Sequence, residues 1–385
     1  MNLKASIKTV AAAAMVAFAT PAIAGGVNVY DDGESKLKLE ALFYLNTFQQ
    51  TDDRITAGNS VKTKTTGMAV DRAYFTAKYQ MNEDWMMRFT TDVGHEGTLG
   101  KQQNIYLKYA YVEGKLAGKA AVLRIGQSHT PWIDYEQSLW KHRYVAKVMS
   151  DQYKFDTSAD LGFGLKGKLL DGMVDYFVTA TNGTGYGTGN PGAGLNGIDY
   201  NSRIGLHPLK GLDIDFQYMN GYKATKTNIA NVATSGVRST LAQVMASYGT
   251  KEFRLGANYL MNNDKAGSAT ASTKHGGNVS SNFATALAGD EVKSRGMALW
   301  GWAKVGGDFG VFGRFESLKN KSYSGGIANV TQEKVTRYVA GIEYSPVKNV
   351  TIAAVVDSSK LTGRGGVATT TDKDNRVGIY TQVKL

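Results

Sequence analysis

The chain has 385 residues, a formal net charge of +11, 45 glycines, 5 prolines and no cysteine. The lack of cysteine excludes disulfides, thiolate metal sites and haem attached through a C-x-x-C-H run. Hydrophobic residues make up 42% of the chain. That suits a soluble core or a membrane barrel equally, so the order of residues has to decide.

At the N-terminus, Lys4 and Lys8 flank the start of an apolar run from Thr9 to Thr20, and Pro21-Ala22-Ile23-Ala24 supplies an A-x-A pattern. This is the build of a cleaved export signal. The apolar run falls short of the roughly 20 residues that a spanning helix needs. Residues 1–24 are therefore expected to be removed, with 25–385 forming one exported domain.

From Lys36 onward the chain alternates with a period of two. In the first run, Lys36 to Phe48, Leu37, Leu39, Ala41, Phe43 and Leu45 share one face, and Lys36, Lys38, Glu40, Tyr44 and Asn46 share the other. The second, Arg72 to Met81, sets Ala73, Phe75, Ala77 and Tyr79 against Arg72, Tyr74, Thr76 and Lys78. In a third, Met87, Phe89, Thr91 and Val93 oppose Arg88, Thr90 and Asp92. Further runs fall near 103–113, 119–128, 158–168, 173–183, 198–207, 211–222, 238–249, 251–261, 293–305, 308–319, 333–345, 348–359 and 372–385. Each of the sixteen runs is long enough to cross a bilayer at a barrel's tilt. In the 293–305 run, Met297-Ala298-Leu299-Trp300-Gly301-Trp302 leaves open which face meets lipid.

Connections after even-numbered runs are short, such as Asn82-Glu83-Asp84 and Gly306-Gly307. Most of those after odd-numbered runs are long and polar, such as 184–197 and 262–292. A barrel with a periplasmic and an extracellular rim segregates loop length this way, and a soluble sandwich has no reason to. Pro208 and Pro346 are placed in short turns, and Pro131 and Pro191 in long loops. Tyr79, Trp85, Phe89, Tyr109, Tyr248, Tyr259, Tyr338 and Tyr344 sit near run ends, as an interfacial girdle requires. The expected fold is all-β: a transmembrane antiparallel up-and-down barrel of about 16 strands.

One stretch departs from the pattern. Leu123-Arg124-Ile125-Gly126-Gln127, followed by Pro131-Trp132, opens nearly thirty residues without alternation. This R-x-G-Q strand end leading into a Pro-aromatic loop resembles the phosphate-selective porins (the porin O/P family) of the bacterial outer membrane. Leu385 departs from the terminal Phe common in such porins. The resemblance implies that the third extracellular loop folds into the pore and narrows it, and that the channel is a homotrimer. By strand count this stretch is the third loop, so Trp132, Asp134, Glu136, Lys141, His142, Arg143 and Lys147 are candidate constriction residues.

Alternation turns Arg72, Lys78, Arg88, Lys108, Arg124, Lys166, Arg203, Arg254, Arg314, Arg337 and Arg376 toward the lumen, with Glu40, Asp92, Asp199, Asp213, Asp215, Glu252, Glu316, Glu343 and Asp357 beside them. Rings of Arg and Lys favour anions in a pore. The same groups can instead pair with the acids and brace the wall. Likewise the Lys141-His142-Arg143 triplet suits an oxyanion or a pairing with Asp134 and Glu136 that pins the loop. Trp132, Tyr135 and Trp140 are expected to pack the loop onto the barrel.

The expected function is passive diffusion of small hydrophilic solutes and ions, with anions preferred and phosphate-like oxyanions accommodated. The alternative is a non-conducting barrel acting as a sheath or adhesin. Five histidines without H-E-x-x-H spacing, and no G-x-S-x-G elbow, point away from an enzyme. No cofactor or metal is expected. Basic residues are spread over the strands, so nucleic acid is not an expected partner. The expected surroundings are outer-membrane lipid of a Gram-negative cell.

Overall fold

The computed structural model describes residues 26–94, 104–186, 198–222, 238–265, 271–273, 287–289, 291–324, 329–363 and 369–385. The expected export signal lies outside them. A short strand β1 (Val27–Asp31) precedes β2 (Lys36–Thr56), β3 (Asn59–Gln80), β4 (Trp85–Gly94), β5 (Asn104–Ala117) and β6 (Ala121–His129). After the long connection come β7 (Ala159–Leu169), β8 (Val174–Thr181), β9 (Asp199–Leu209) and β10 (Leu212–Tyr222). Next are β11 (Arg238–Gly249), β12 (Phe253–Lys265) and a short pair, β13 (Ala271–Thr273) with β14 (Leu287–Gly289). The chain closes with β15 (Glu291–Gly306), β16 (Phe309–Ser324), β17 (Asn329–Val347), β18 (Val350–Thr362) and β19 (Thr370–Lys384).

Successive barrel strands pair antiparallel, β12 with β15 across the short pair, and β19 pairs with β2 from Thr370↔Thr56 to Lys384↔Leu42. That last ladder closes a barrel of sixteen strands, with β1 lying on the start of β2 below the end of β19. Closure removes the open edges that a sheet otherwise presents. Outward positions carry Phe75, Phe163, Ile204, Phe216, Leu255, Tyr338, Ile342 and Ile379, all exposed. So large an apolar outer surface has lipid, not water, as its solvent.

Each of the sixteen runs is a strand, and three details differ. Residues 49–71, expected as a connection, continue β2 and β3 to a tight turn at Ala57-Gly58. Both turn residues have positive φ (49° and 85°), which matches a two-residue turn to the twist of its strands. Pro208 and Pro346 lie inside the ends of β9 and β17 instead of in turns. Their ladders shift register there, which spares the missing N–H a partner. Finally, Tyr109 faces inward and does not join the outer girdle. The β4–β5 ladder slips between Thr90 and Thr91, so Lys108 and Tyr109 both point into the lumen. This is a β-bulge.

Candidate functional site in the barrel lumen

Residues 130–158 leave β6 and return to β7 through a neck closed by the Thr130 N–H on the Ser158 carbonyl, at 3.4 Å. The segment holds two helices, α1 (Ile133–Trp140) and α2 (Met149–Gln152). Asp134 and Glu136 sit in the first turn of α1, where acidic side chains favour the helix dipole. Lys141, left-handed at φ 64°, ends the helix. Ile133, Glu136 and Trp140 are its buried face, at the i, i+3, i+7 spacing of one helix side.

That face packs on inward residues of the wall from β10 to β19. Trp132, Ile133, Trp140, Val148, Met149, Tyr153 and Phe155 form one cluster with Leu241, Met245, Leu260, Trp300, Phe312, Leu318 and Val339. Each large side chain withdrawn from water in this way contributes about 1.5–3 kcal/mol. Polar contacts fix the orientation. The Trp302 indole donates to the Leu139 carbonyl at 3.0 Å, the Tyr153 hydroxyl to Glu316 at 2.9 Å, and Arg203 Nε to the Pro131 carbonyl at 3.2 Å.

The expected loop residues divide sharply. Trp132 is buried and donates its indole N–H to Glu136 at 2.8 Å. Glu136 and Arg314 face each other at 3.6 Å, both fully buried. Burial raises the Glu136 carboxyl above its ordinary pKa, against the pull of Arg314 and the Trp132 hydrogen bond. Asp134 instead stays 56% exposed, 3.5 Å from His129. Lys141 lies 3.8 Å over the Trp302 ring. His142 and Arg143 do not pair with Asp134 or Glu136: His142 meets Glu343 at 3.0 Å and Arg143 meets Asp151 at 3.3 Å. Helix α1 turns Asp134 and Glu136 to other sides, which is why that pairing fails. Lys147 lies 3.9 Å from Asp151. Asp151 supports its charge, yet burial and the cations Arg143 and Lys154 draw the Lys147 ammonium down to about 7. Burial opposes ionisation of Asp151, but Lys147 and Arg143 hold its carboxyl at about 2.

The wall cations also divide. Behind the loop they are locked in ion pairs. Arg203 meets Asp215 at 2.5 Å and Asp175 at 2.9 Å, Arg314 meets Glu316 at 2.6 Å, and Arg337 meets Asp357 at 2.6 Å. Arg254 pairs with Asp213; away from the loop-bearing wall, on β3, Arg72 pairs with Asp92. On the facing wall, Arg124 and Lys166 share Glu113 at 2.5 and 2.8 Å. Lys108 donates to Ser158 at 2.6 Å and lies 3.1 Å over the Tyr186 ring. Arg88 stacks 4.7 Å from the Tyr109 ring and makes no carboxylate pair among the described residues. Arg376 lies 3.7 Å over Phe48 and donates to Asn46 at 3.3 Å. Lys78 meets Glu40 at 2.7 Å. Glu252, expected in the lumen, sits exposed in a short turn.

Among the described residues, two cavities border the loop. One, of about 360 Å³, is lined by Arg72, Arg143, Lys147, Arg337 and Arg376 with Asp71, Asp357 and Asp374. The other, of about 550 Å³, lies nearer the short turns and holds Arg88, Lys141, Arg143, Lys304 and Lys384 against Asp134 and Glu343. Tyr44, Arg143 and Tyr144 border both. Tyr144 was not legible as a site residue, and Tyr44 had only its polar-face position to mark it. Nothing local in the sequence brings them together at a 6.3 Å ring separation.

No sequence-family profile matches the chain, and no curated protein matches it in sequence. Solved structures do match. An anion-selective porin from Comamonas acidovorans superposes with a TM-score of 0.59 at 12% identity, covering 91% of this chain and all (100%) of that one. OmpF of Salmonella typhi, solved with daunomycin, gives 0.56 at 16% identity, covering 92% and 100%. A loop-deletion form of OmpT, an outer membrane protein of Vibrio cholerae, gives 0.58 at 12% identity, covering 91% and 100%. At these identities the likeness is one of fold, and the shared fold is the outer-membrane β-barrel.

Proposed function

We propose that the chain is an outer-membrane porin, a passive and anion-preferring channel with no enzymatic role, working as a homotrimer after loss of residues 1–24. One observation carries the reading. The loop is fastened to one wall, and the cavities beside it hold more cations than carboxylates. Fixed positive charge at a narrowing raises local anion concentration and lowers the barrier to passage. In this reading segment 130–158 is the constriction, with Arg143 at its narrowest point. Arg72, Arg88, Arg124, Lys166 and Arg376 then line the permeation side, Lys108 lies buried behind it against Ser158 and Tyr186, and Arg203, Arg254, Arg314 and Arg337 brace the loop-bearing wall. The fold neighbour described as anion-selective supports the sign of the preference. Phosphate-like oxyanions are the finer expectation, resting on the stretch around Arg124 and Pro131.

Planar-bilayer recording tests this. Stable ohmic steps are expected, with a reversal potential in a salt gradient that favours anions. A barrel that never conducts returns the molecule to a sheath or adhesin, and a cation-favouring potential overturns the charge argument.

A further inference from the structure

His142 is buried, and both of its ring nitrogens face acceptors. Nδ1 lies 2.7 Å from the Trp140 carbonyl, and Nε2 lies 3.0 Å from Glu343 Oε2. A neutral imidazole has one N–H, so in that form one of the two contacts sets lone pair against lone pair. Only the imidazolium donates to both. The same Glu343 oxygen accepts the Tyr144 hydroxyl at 3.0 Å, and the His142 ring stacks on Phe312 at 4.1 Å. One carboxylate of β17 thereby holds the loop on both sides of Arg143, the cation that borders both cavities.

We propose that His142, Glu343 and Tyr144 form a proton-operated latch that positions Arg143 at the junction of the two lumen cavities. The role of Arg143 rests on the channel reading; the latch itself does not. With His142 protonated the latch is closed. Loss of that proton leaves a bare nitrogen against a carbonyl or a carboxylate, and the segment around residues 142–146 lifts from the wall. Other charged and titratable groups face the pair from several elements: Lys141, Arg143 and Tyr144 from the loop, Lys304 from β15, Lys384 from β19 and Tyr44 from β2. Arg88, His129 and Asp134 border the same cavity.

The absence of cysteine from the chain makes a single introduced thiol a clean reporter. Ala146, 2% exposed, donates its N–H to the His142 carbonyl at 3.0 Å, so Ala146→Cys reports lifting. Ser138→Cys, on an exposed position of α1, corrects for the reagent's own response to pH. In the full barrel reconstituted in lipid, the labelling ratio of the two is followed from about pH 5 to pH 9. The ratio is expected to rise about tenfold toward high pH, on the scale of losing a charge-assisted hydrogen bond.

His142→Gln, whose amide donates to Glu343 at every pH, is expected to abolish that rise. Glu343→Gln is expected to give a high ratio at all pH values. A flat ratio in the otherwise unaltered barrel, or the same rise with His142→Gln, overturns the latch. Conductance is recorded separately. A barrel that labels as expected but never conducts overturns the channel reading and leaves the latch standing.

Discussion

The two walls of the barrel use one alternating code for opposite ends. From β9 to β18, inward arginines are buried in pairs with Asp215, Glu316 and Asp357, and between them lie Leu241, Leu260 and Trp300. From β4 to β7, Arg88, Lys108, Arg124 and Lys166 rest on rings, hydroxyls and one shared carboxylate, Glu113. Inward position therefore does not tell a bracing charge from one that meets solute. What separates most of them is whether segment 130–158 covers them; Lys108, held by Ser158, is buried although it lies on the second wall.

The largest effect should come from the covered wall. Arg314→Met leaves the buried Glu136 without its cation and takes one of two arginines from Glu316, and should cost about 3–5 kcal/mol in urea unfolding of the reconstituted barrel. Adding Glu136→Leu should recover part of that loss. An unchanged midpoint for the single variant would show that the pair does not hold the loop. On the open wall the outcome should invert. Arg88→Glu should leave stability within about 0.5 kcal/mol yet move the reversal potential toward cations, and no movement would remove Arg88 from the permeation side. A smaller effect follows from Lys147. Its ammonium is charged below about 7 and neutral above, so anion preference should fall as pH rises through 7. Lys147→Arg, which stays charged, should hold that preference flat. The smallest effect lies outside both walls. Ala57→Gly relieves the left-handed turn at φ 49° and should change stability by less than about 1 kcal/mol, with conductance untouched.

Much of the fold was legible because a lipid-facing strand must alternate, and every barrel run did. The ambiguity of the 293–305 run has a physical cause. In β15, Ala298, Trp300 and Trp302 are buried inward while Met297 and Leu299 are exposed outward, so both faces are apolar where the loop packs. Residues 49–71 were misplaced because their polar and glycine content reads as loop, although they continue a hairpin that β19 pairs as far as Thr56, beside its turn. The loop's partners were less accessible. His142 meets Glu343 across 201 positions of chain, and only closure of the barrel brings them together. Glu343 was visible as an inward acid, but its task was not.

The slip at Lys108 carries a lesson about how such a lumen changes over time. Thr90 pairs with Tyr109 and Thr91 with Leu107, so Lys108 is surplus to the ladder and both flanks keep their partners. A single inserted codon can thus place a new inward-facing group without moving any other side chain between lipid and water. Its removal would be equally local. Bulges give this architecture a means of revising its interior chemistry one residue at a time, while the outer surface stays matched to the membrane.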